Sequence, residues 1–221
     1  MFDHIDSWIF DLDNTLYPAS ASLFPQIDAR MGAYIARLLA CDPAKAYRVQ
    51  KGFFHSHGMT LPGLMAEHGV DPHEFLADVH DVDIDVVAPN PQLAELIARL
   101  PGRKFVFTNA DAPYAERVLA RLGLSNSFDA LHDIHALGYV PKPQVPAYAH
   151  MCAAYAIDPT RAVFVEDMAR NLAPAKAIGM TTVWIDNGSE QGPGDARDHI
   201  DHIIPDVATW LAIVVASLEG K

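Results

Sequence analysis

Cysteine is scarce in this sequence, and so is positive charge. Only Cys41 and Cys152 occur in 221 residues, and neither sits in a CxxC or mixed Cys/His spacing. That excludes a disulfide scaffold and a thiolate zinc site, and leaves reduced thiols. Lys and Arg number 16 against 28 Asp and Glu, for a formal net charge of -12 at pH 7. Without clustered cations the chain is a poor match for a nucleic-acid backbone or an anionic lipid surface, so no nucleic-acid and no membrane partner is expected. A small anion stays compatible, because carboxylates gathered round a divalent cation reverse the local field. Long apolar runs are missing as well: the longest, Trp210 to Leu218, is too short to span a bilayer. The opening MFDHIDSWIFDLD has neither the positive start nor the apolar stretch of a signal peptide, which leads to the expectation of a cytoplasmic protein. No internal repeat is visible, and the one low-complexity stretch is a Gly-rich loop, Gly188 to Gly194, expected to be exposed.

What the sequence does have is the composition of a globular protein: 50% hydrophobic and 20% charged residues, enough to build a sizeable core. Its length suggests one core domain with one smaller insertion. Short apolar runs that end in polar residues mark buried strands at Ser7 to Leu12, Lys104 to Thr108, Ala162 to Val165 and Thr181 to Ile185, with a weaker candidate at Phe128 to Ile134. Helical patterns lie between and after them. Pro91 to Leu100 follows a possible Asn90 cap, Pro113 to Leu122 stops at Gly123, Asn171 to Ile178 stops at Gly179, and Val207 to Leu218 closes the chain. Alternating strands and helices predict an α/β fold, a Rossmann-like three-layer α/β/α core around a parallel sheet.

Residues 18–87 break the alternation. Ile27, Met31, Ile35, Leu38 and Leu39 recur at helical spacing, and Asp71, Pro72 and Glu74 open another helix in the manner of a capping box. The stretch is expected to be an all-helical insertion over the C-terminal edge of the sheet, where open α/β folds bind ligands. The domains are then 1–17 with 88–221 as core and 18–87 as lid.

Four polar clusters fall at strand ends or in adjoining loops. In Asp11-Leu12-Asp13-Asn14-Thr15-Leu16, strand alternation puts Asp11 and Asp13 on one side, where they could share a metal or a substrate; a solvated turn is the alternative. Thr108 and Asn109 offer a hydroxyl, an amide and main-chain N–H groups to phosphate oxygens, or serve as helix caps. Lys142 is fixed between Pro141 and Pro143. Glu166 and Asp167 end another strand, with Asn171 one helical turn on. In a parallel sheet all of these ends lie on one edge, so a single shared site explains them better than four accidents.

Taken in order, DLDNTLYP at Asp11 to Pro18, TNAD at Thr108 to Asp111, Lys142 in YVPKP and EDMARN at Glu166 to Asn171 resemble the motifs of the haloacid dehalogenase-like superfamily. The helical insertion is similar to that family's C1-type cap. The resemblance implies Asp11 as nucleophile, Asp13 as general acid and base, Lys142 as a bridge between nucleophile and phosphoryl group, and Thr108 and Asn109 as phosphate ligands. It further implies Mg²⁺ held by Asp11, the Asp13 carbonyl and Asp167, with Glu166 and Asn171 supporting them from behind. Residue chemistry agrees. A carboxylate attacks an anion only if a cation offsets charge on both, and oxygen donors suit Mg²⁺. Asp13 favours phosphate transfer over dehalogenation, which needs no acid at that position.

Asn14, Tyr17-Pro18 and the segment Gly58-Met59-Thr60-Leu61-Pro62-Gly63-Leu64 resemble the pyrimidine 5′-nucleotidase-like branch. The expected activity is therefore a Mg²⁺-dependent phosphomonoester hydrolase acting through an aspartyl-phosphate on a nucleoside 5′-monophosphate, with Thr15 and Thr60 as further substrate contacts. A phosphatase of another small metabolite such as a sugar phosphate, a phosphomutase, and a non-catalytic binding module are the alternatives, and the chain is expected to be a monomer or homodimer. Phe53, Phe54, His55 and His57 could meet a base or form cap core, and the latter is the ordinary meaning of aromatic spacing. His55-x-His57 and His199 with His202 lack the partners of a zinc site. Arg48 and Lys51 are the few cations of the insertion near these aromatics, a thin supply for a substrate with several phosphates.

Overall fold

The computed structural model describes residues 2–188 and 197–220; the expected Gly188 to Gly194 loop falls, apart from Gly188, outside the described residues. Six strands form one sheet: β1 (Ser7–Phe10), β2 (Arg103–Phe107), β3 (Ala130–His132), β4 (Ala162–Glu166), β5 (Thr181–Ile185) and β6 (His202–Ile204). Their order is β3-β2-β1-β4-β5-β6 and every pairing is parallel. All four residues of β1 and all five of β4 are buried, so helices cover both faces of the sheet centre, as continuous apolar strands require. The chain switches from one side of β1 to the other between β1–β2 and β1–β4, which places the switch point of the sheet at the C-terminal end of β1.

Four helices follow β1 with no strand among them: α1 (Leu23–Leu38), α2 (Pro43–His57), α3 (Thr60–His68) and α4 (Pro72–Val79). Their own core is apolar, with Ile35, Leu61, Leu64 and Phe75 sealed from solvent and Tyr34 edge-on to Phe75 at 5.0 Å. Gly63 lets α3 lie against α2, since a Cβ there would come within 2.2 Å of the Phe53 ring. Asp71 caps α4 by accepting from the main-chain N–H groups of His73 and Glu74.

The remaining helices are α5 (Pro91–Arg99), α6 (Ala112–Leu122), α7 (Val145–Tyr155), α8 (Ala169–Ala177) and α9 (Val207–Glu219). Asn90 caps α5 through Leu93 N at 3.0 Å, and Gly123 ends α6 with φ +81°. The expected strand Ser7 to Leu12 ends at Phe10, although Asp11 N still reaches Val165 O at 2.9 Å. The weak Phe128 to Ile134 run is realised as β3. Two elements, α7 and β6, carried no sequence signal strong enough to name. Among the described residues no helix is long and apolar enough to cross a membrane.

Candidate active site

The C-terminal ends of β1, β2 and β4 bring Asp11, Thr108 and Glu166 with Asp167 to one place, and the loop before α7 adds Lys142. Lys142 is 1% exposed, and its ammonium donates to Asp11 Oδ1, Glu166 Oε2 and the Phe107 carbonyl, each at 2.7 Å. All three N–H bonds of the ammonium are thereby used. Its rings of contact are Phe107 and Phe164, with Nζ 5.1 Å and 5.2 Å from their centroids. Asn109 fixes the same loop from outside. Its Nδ2 donates to Lys142 O at 3.1 Å and its Oδ1 accepts from Lys142 N at 2.9 Å. The Asn109 side chain, expected on phosphate, is thus engaged in holding the lysine.

Burial, and then the charge of Glu166, push Asp11 up to about 7, against the opposing pull of Lys142. Burial works against the Lys142 ammonium too, but Asp11 and Glu166 outweigh it and hold the lysine above its ordinary value. Two carboxylates for one ammonium, with Asp167 beside them, leave the cluster short of positive charge.

Among the described residues, one group of three metal-ligating side chains comes together: Asp11, Glu166 and Asp167, all buried, with candidate oxygens within 4.8 Å of one another. Asn171 Oδ1, which borders the same cavity, is buried without a hydrogen-bond partner. An all-oxygen donor set, an excess of negative charge and an unsatisfied amide oxygen fit a hard divalent cation. Glu166 is engaged twice, since its Oε1 also accepts from Met168 N at 3.2 Å.

Asp13 borders the same cavity as Asp11, though both lie beyond the end of β1 and strand alternation does not apply to them, and its carboxylate is outside the acidic group: Oδ1 accepts from Tyr17 and Tyr114 at 2.6 Å each. Asn14 turns the chain there with φ +56°, a left-handed conformation that asparagine tolerates. Thr108 is buried, and its Oγ1 accepts from Ala110 N at 3.0 Å while keeping its own hydrogen to donate. Thr15 is buried with an unpartnered hydroxyl and does not line the cavity, whereas Thr60 does.

The cavity, of about 150 Å³, lies between these residues and the helical insertion. Phe24, Ile27, Met31, Phe54 and Met59 give it an apolar wall, and Asp28, Gln50 and Lys51 a polar one. Asp28 Oδ1 accepts from Gln50 Nε2 at 2.8 Å and Lys51 Nζ at 2.9 Å. The four insertion residues left open by sequence separate cleanly. Phe53 is core, His55 is exposed, and His57 binds Ser56 Oγ at 2.7 Å. Phe54 faces the cavity with the Arg170 guanidinium 4.1 Å from its ring centroid. Arg48 is exposed. His199 Nε2 lies 2.8 Å from Ala169 O, and His202 packs on Phe2 at 5.3 Å. Tyr17, Tyr114, His80, Asp28 and Arg170 escaped the sequence reading of the site, because each looks like an ordinary helix or loop residue until the fold closes round Asp13 and the insertion.

An acidic cluster with a buried lysine thus sits at the switch point of a parallel sheet. The family model for haloacid dehalogenase-like hydrolases matches residues 5–179, and the chain belongs to that family. It is 25% identical over 196 residues to the fructose-1-phosphate phosphatase of Escherichia coli, covering 83% of this chain and 97% of that protein. It is 26% identical over 217 residues to the glyceraldehyde 3-phosphate phosphatase of Methanopyrus kandleri, covering 91% of each. Against Phosphate metabolism protein 8 of Saccharomyces cerevisiae, identity is 25% over 58% of this chain, which spans only 43% of that relative's length. Among solved structures, CbbY from Rhodobacter sphaeroides in complex with phosphate superimposes with TM-score 0.64 at 18% identity over 92% of this chain and 95% of that one. L-2-haloacid dehalogenase from Xanthobacter autotrophicus gives 0.59 at 18% over 95% and 98%.

Proposed function

We propose that this protein is a Mg²⁺-dependent phosphatase of small phosphorylated metabolites that forms an aspartyl-phosphate on Asp11. The observation that carries the reading is the Lys142 ammonium seated between Asp11 and Glu166 at the cavity floor. Asp11 attacks phosphorus, the ester P–O bond breaks, and Asp13 gives the leaving oxygen its proton. Water then attacks the phosphorus of the aspartyl-phosphate, Asp13 takes the proton, and inorganic phosphate leaves with Asp11 restored. Lys142 cancels part of the charge that opposes carboxylate attack on a dianion, and Thr108 donates its hydroxyl to a phosphate oxygen. Asp11, Asp167 and the Asp13 carbonyl would hold Mg²⁺, which would supply the remaining positive charge at the phosphoryl group. Asp13 argues against dehalogenation, which has no alkoxide to protonate.

For the ester itself, sugar phosphates come first. Two relatives that match most of this chain act on phosphorylated sugars by name, and the Asp28, Gln50 and Lys51 wall offers donors and acceptors suited to hydroxyl groups. A nucleoside 5′-monophosphate is the second reading, favoured by Phe54 and Thr60 in the cavity wall. One face of Phe54 is already covered by Arg170, so a base would have the other. The test is phosphate release with Mg²⁺ from a panel of sugar phosphates, nucleoside monophosphates and an aryl phosphate, with Asp11→Asn alongside. A sugar phosphate as best substrate and a silent Asp11→Asn support the proposal. Equal activity in both proteins sinks it, and preference for UMP or CMP moves the substrate to the second reading.

A further inference from the structure

Asp13 is gripped through one oxygen. The hydroxyls of Tyr17 and Tyr114 both donate to Oδ1 at 2.6 Å, and the two phenol oxygens are 3.5 Å apart. Both side chains are buried. Burial first, and then the charge of Asp13, hold both phenols above the ordinary tyrosine range, so they remain neutral donors. Tyr114 is itself clamped. Its ring lies flat on the His80 imidazole, with centroids 4.3 Å apart and planes at 18°. His80 Nδ1 is 2.7 Å from Asp111 Oδ1, and the His80 carbonyl accepts from Arg117 at 3.1 Å. His80 stands directly after α4, the last α-helix of the insertion, and borders the cavity, while Asp111 directly precedes α6 and Tyr114 and Arg117 lie within it. Tyr17 comes from the entrance to the insertion. The grip on Asp13 thus draws on the chain just before the insertion, on the residue after its last α-helix and on α6 of the core.

We propose that Tyr17 and Tyr114 are positioning residues for Asp13: by occupying Oδ1 they orient the carboxyl so that Oδ2 carries the proton to and from the reacting oxygens, with His80 fixing Tyr114 from the insertion side. The inference rests on the reading of Asp13 as the acid and base of phosphomonoester hydrolysis. In that step the electron pair of the broken P–O bond stays on the leaving oxygen, and the proton from Oδ2 converts it to the alcohol. In the second half the attacking water returns a proton to the same carboxyl. A carboxyl that has lost a donor from Oδ1 rotates and delivers its proton less often. The cost depends on the leaving group: an alkoxide is too basic to depart unprotonated, whereas a nitrophenolate departs nearly unaided. A residue needed only for folding lowers turnover of both kinds of ester alike.

The experiment compares kcat/KM, which covers only the steps up to departure of the alcohol, for an alkyl phosphate that the wild-type protein hydrolyses and for p-nitrophenyl phosphate, in wild type, Y114F, Y17F, the double variant and D13N. Phenylalanine keeps the ring on His80 and removes only the hydroxyl; thermal unfolding checks the fold, and Y17F carries the same test if Y114F does not fold. The ratio of alkyl to aryl kcat/KM is expected to fall about tenfold in Y114F and at least as far in the double variant, in the direction of D13N, given that general acid catalysis contributes about 10²–10⁴-fold. An unchanged ratio in the tyrosine variants, whatever their absolute loss, overturns the positioning role. An unchanged ratio in D13N overturns the acid role of Asp13 and the inference with it.

Discussion

The ammonium of Lys142 and the carboxylate of Asp11 meet at 2.7 Å although 131 positions separate them in the chain. The pair is buried, and it shares the lysine with Glu166. Removing the cation leaves two carboxylates facing each other out of water, which costs roughly 3–5 kcal/mol for a broken buried pair. Lys142→Met is therefore expected to lower stability by about 3 kcal/mol without metal, and to lose at least a hundredfold in kcat. Urea unfolding and phosphate release check the two halves. A variant as stable and as active as wild type contradicts the geometry assigned to the lysine.

Added Mg²⁺ should stabilise the protein. A ligand that binds only the folded state contributes about 2.7 kcal/mol at a free concentration a hundredfold above Kd. Thermal unfolding with Mg²⁺ and with a chelator is expected to show that gain in wild type and to lose most of it in Asp167→Asn. An equal gain in both proteins removes Asp167 from the ion.

Gly63 is where the helical insertion is tightest. With 2.2 Å between an added Cβ and Phe53 Cδ1, Gly63→Ala forces α2 and α3 apart and should cost about 1–3 kcal/mol. Unfolding measurements on Gly63→Ala, Phe53→Ala and the double variant test the cause, because a real clash makes the double variant less destabilised than the sum. Simple additivity of the two changes would place the strain elsewhere.

His132 gives the fold an acid-sensitive point away from the acidic cluster. Burial, and then the neighbouring His150, lower its pKa from 6.5 to about 4. Between those values the unfolded chain holds a proton on this ring that the folded chain does not, so stability drops as pH falls from about 6.5 to about 4 and levels off below. His132→Phe removes that contribution. The difference in unfolding free energy between wild type and variant is expected to change across this window and to be flat above it. Parallel profiles throughout would contradict the assignment.

Much of this was legible in the sequence because the strands are unbroken apolar runs and their ends are punctuated by acids, Thr-Asn or a proline-flanked lysine. Those signals placed Asp11, Thr108, Lys142, Glu166 and Asp167 on one edge. β6 was not legible, since His202–Ile204 is three residues long with one exposed isoleucine. α7 was hidden by Pro146 near its start and an apolar, nearly uncharged surface. Asn109 was read as an anion ligand because its type allows it; its pairing with the Lys142 main chain depends on a loop 33 residues away. Tyr114 lay in a correctly read helix, but nothing local says that a helical tyrosine will reach Asp13 from 101 positions away. Local periodicity encodes which face is buried, and only the closed fold decides which buried hydroxyl finds which carboxylate.

In the proposed reaction phosphate passes through Asp11. The most direct measurement is mass spectrometry of peptides from enzyme quenched in acid during turnover of its best phosphate ester with Mg²⁺. A phosphoryl adduct on the peptide that contains Asp11, absent from Asp11→Asn, is the predicted result. Steady phosphate release with no adduct on that peptide, or with the adduct on another residue, would contradict the account.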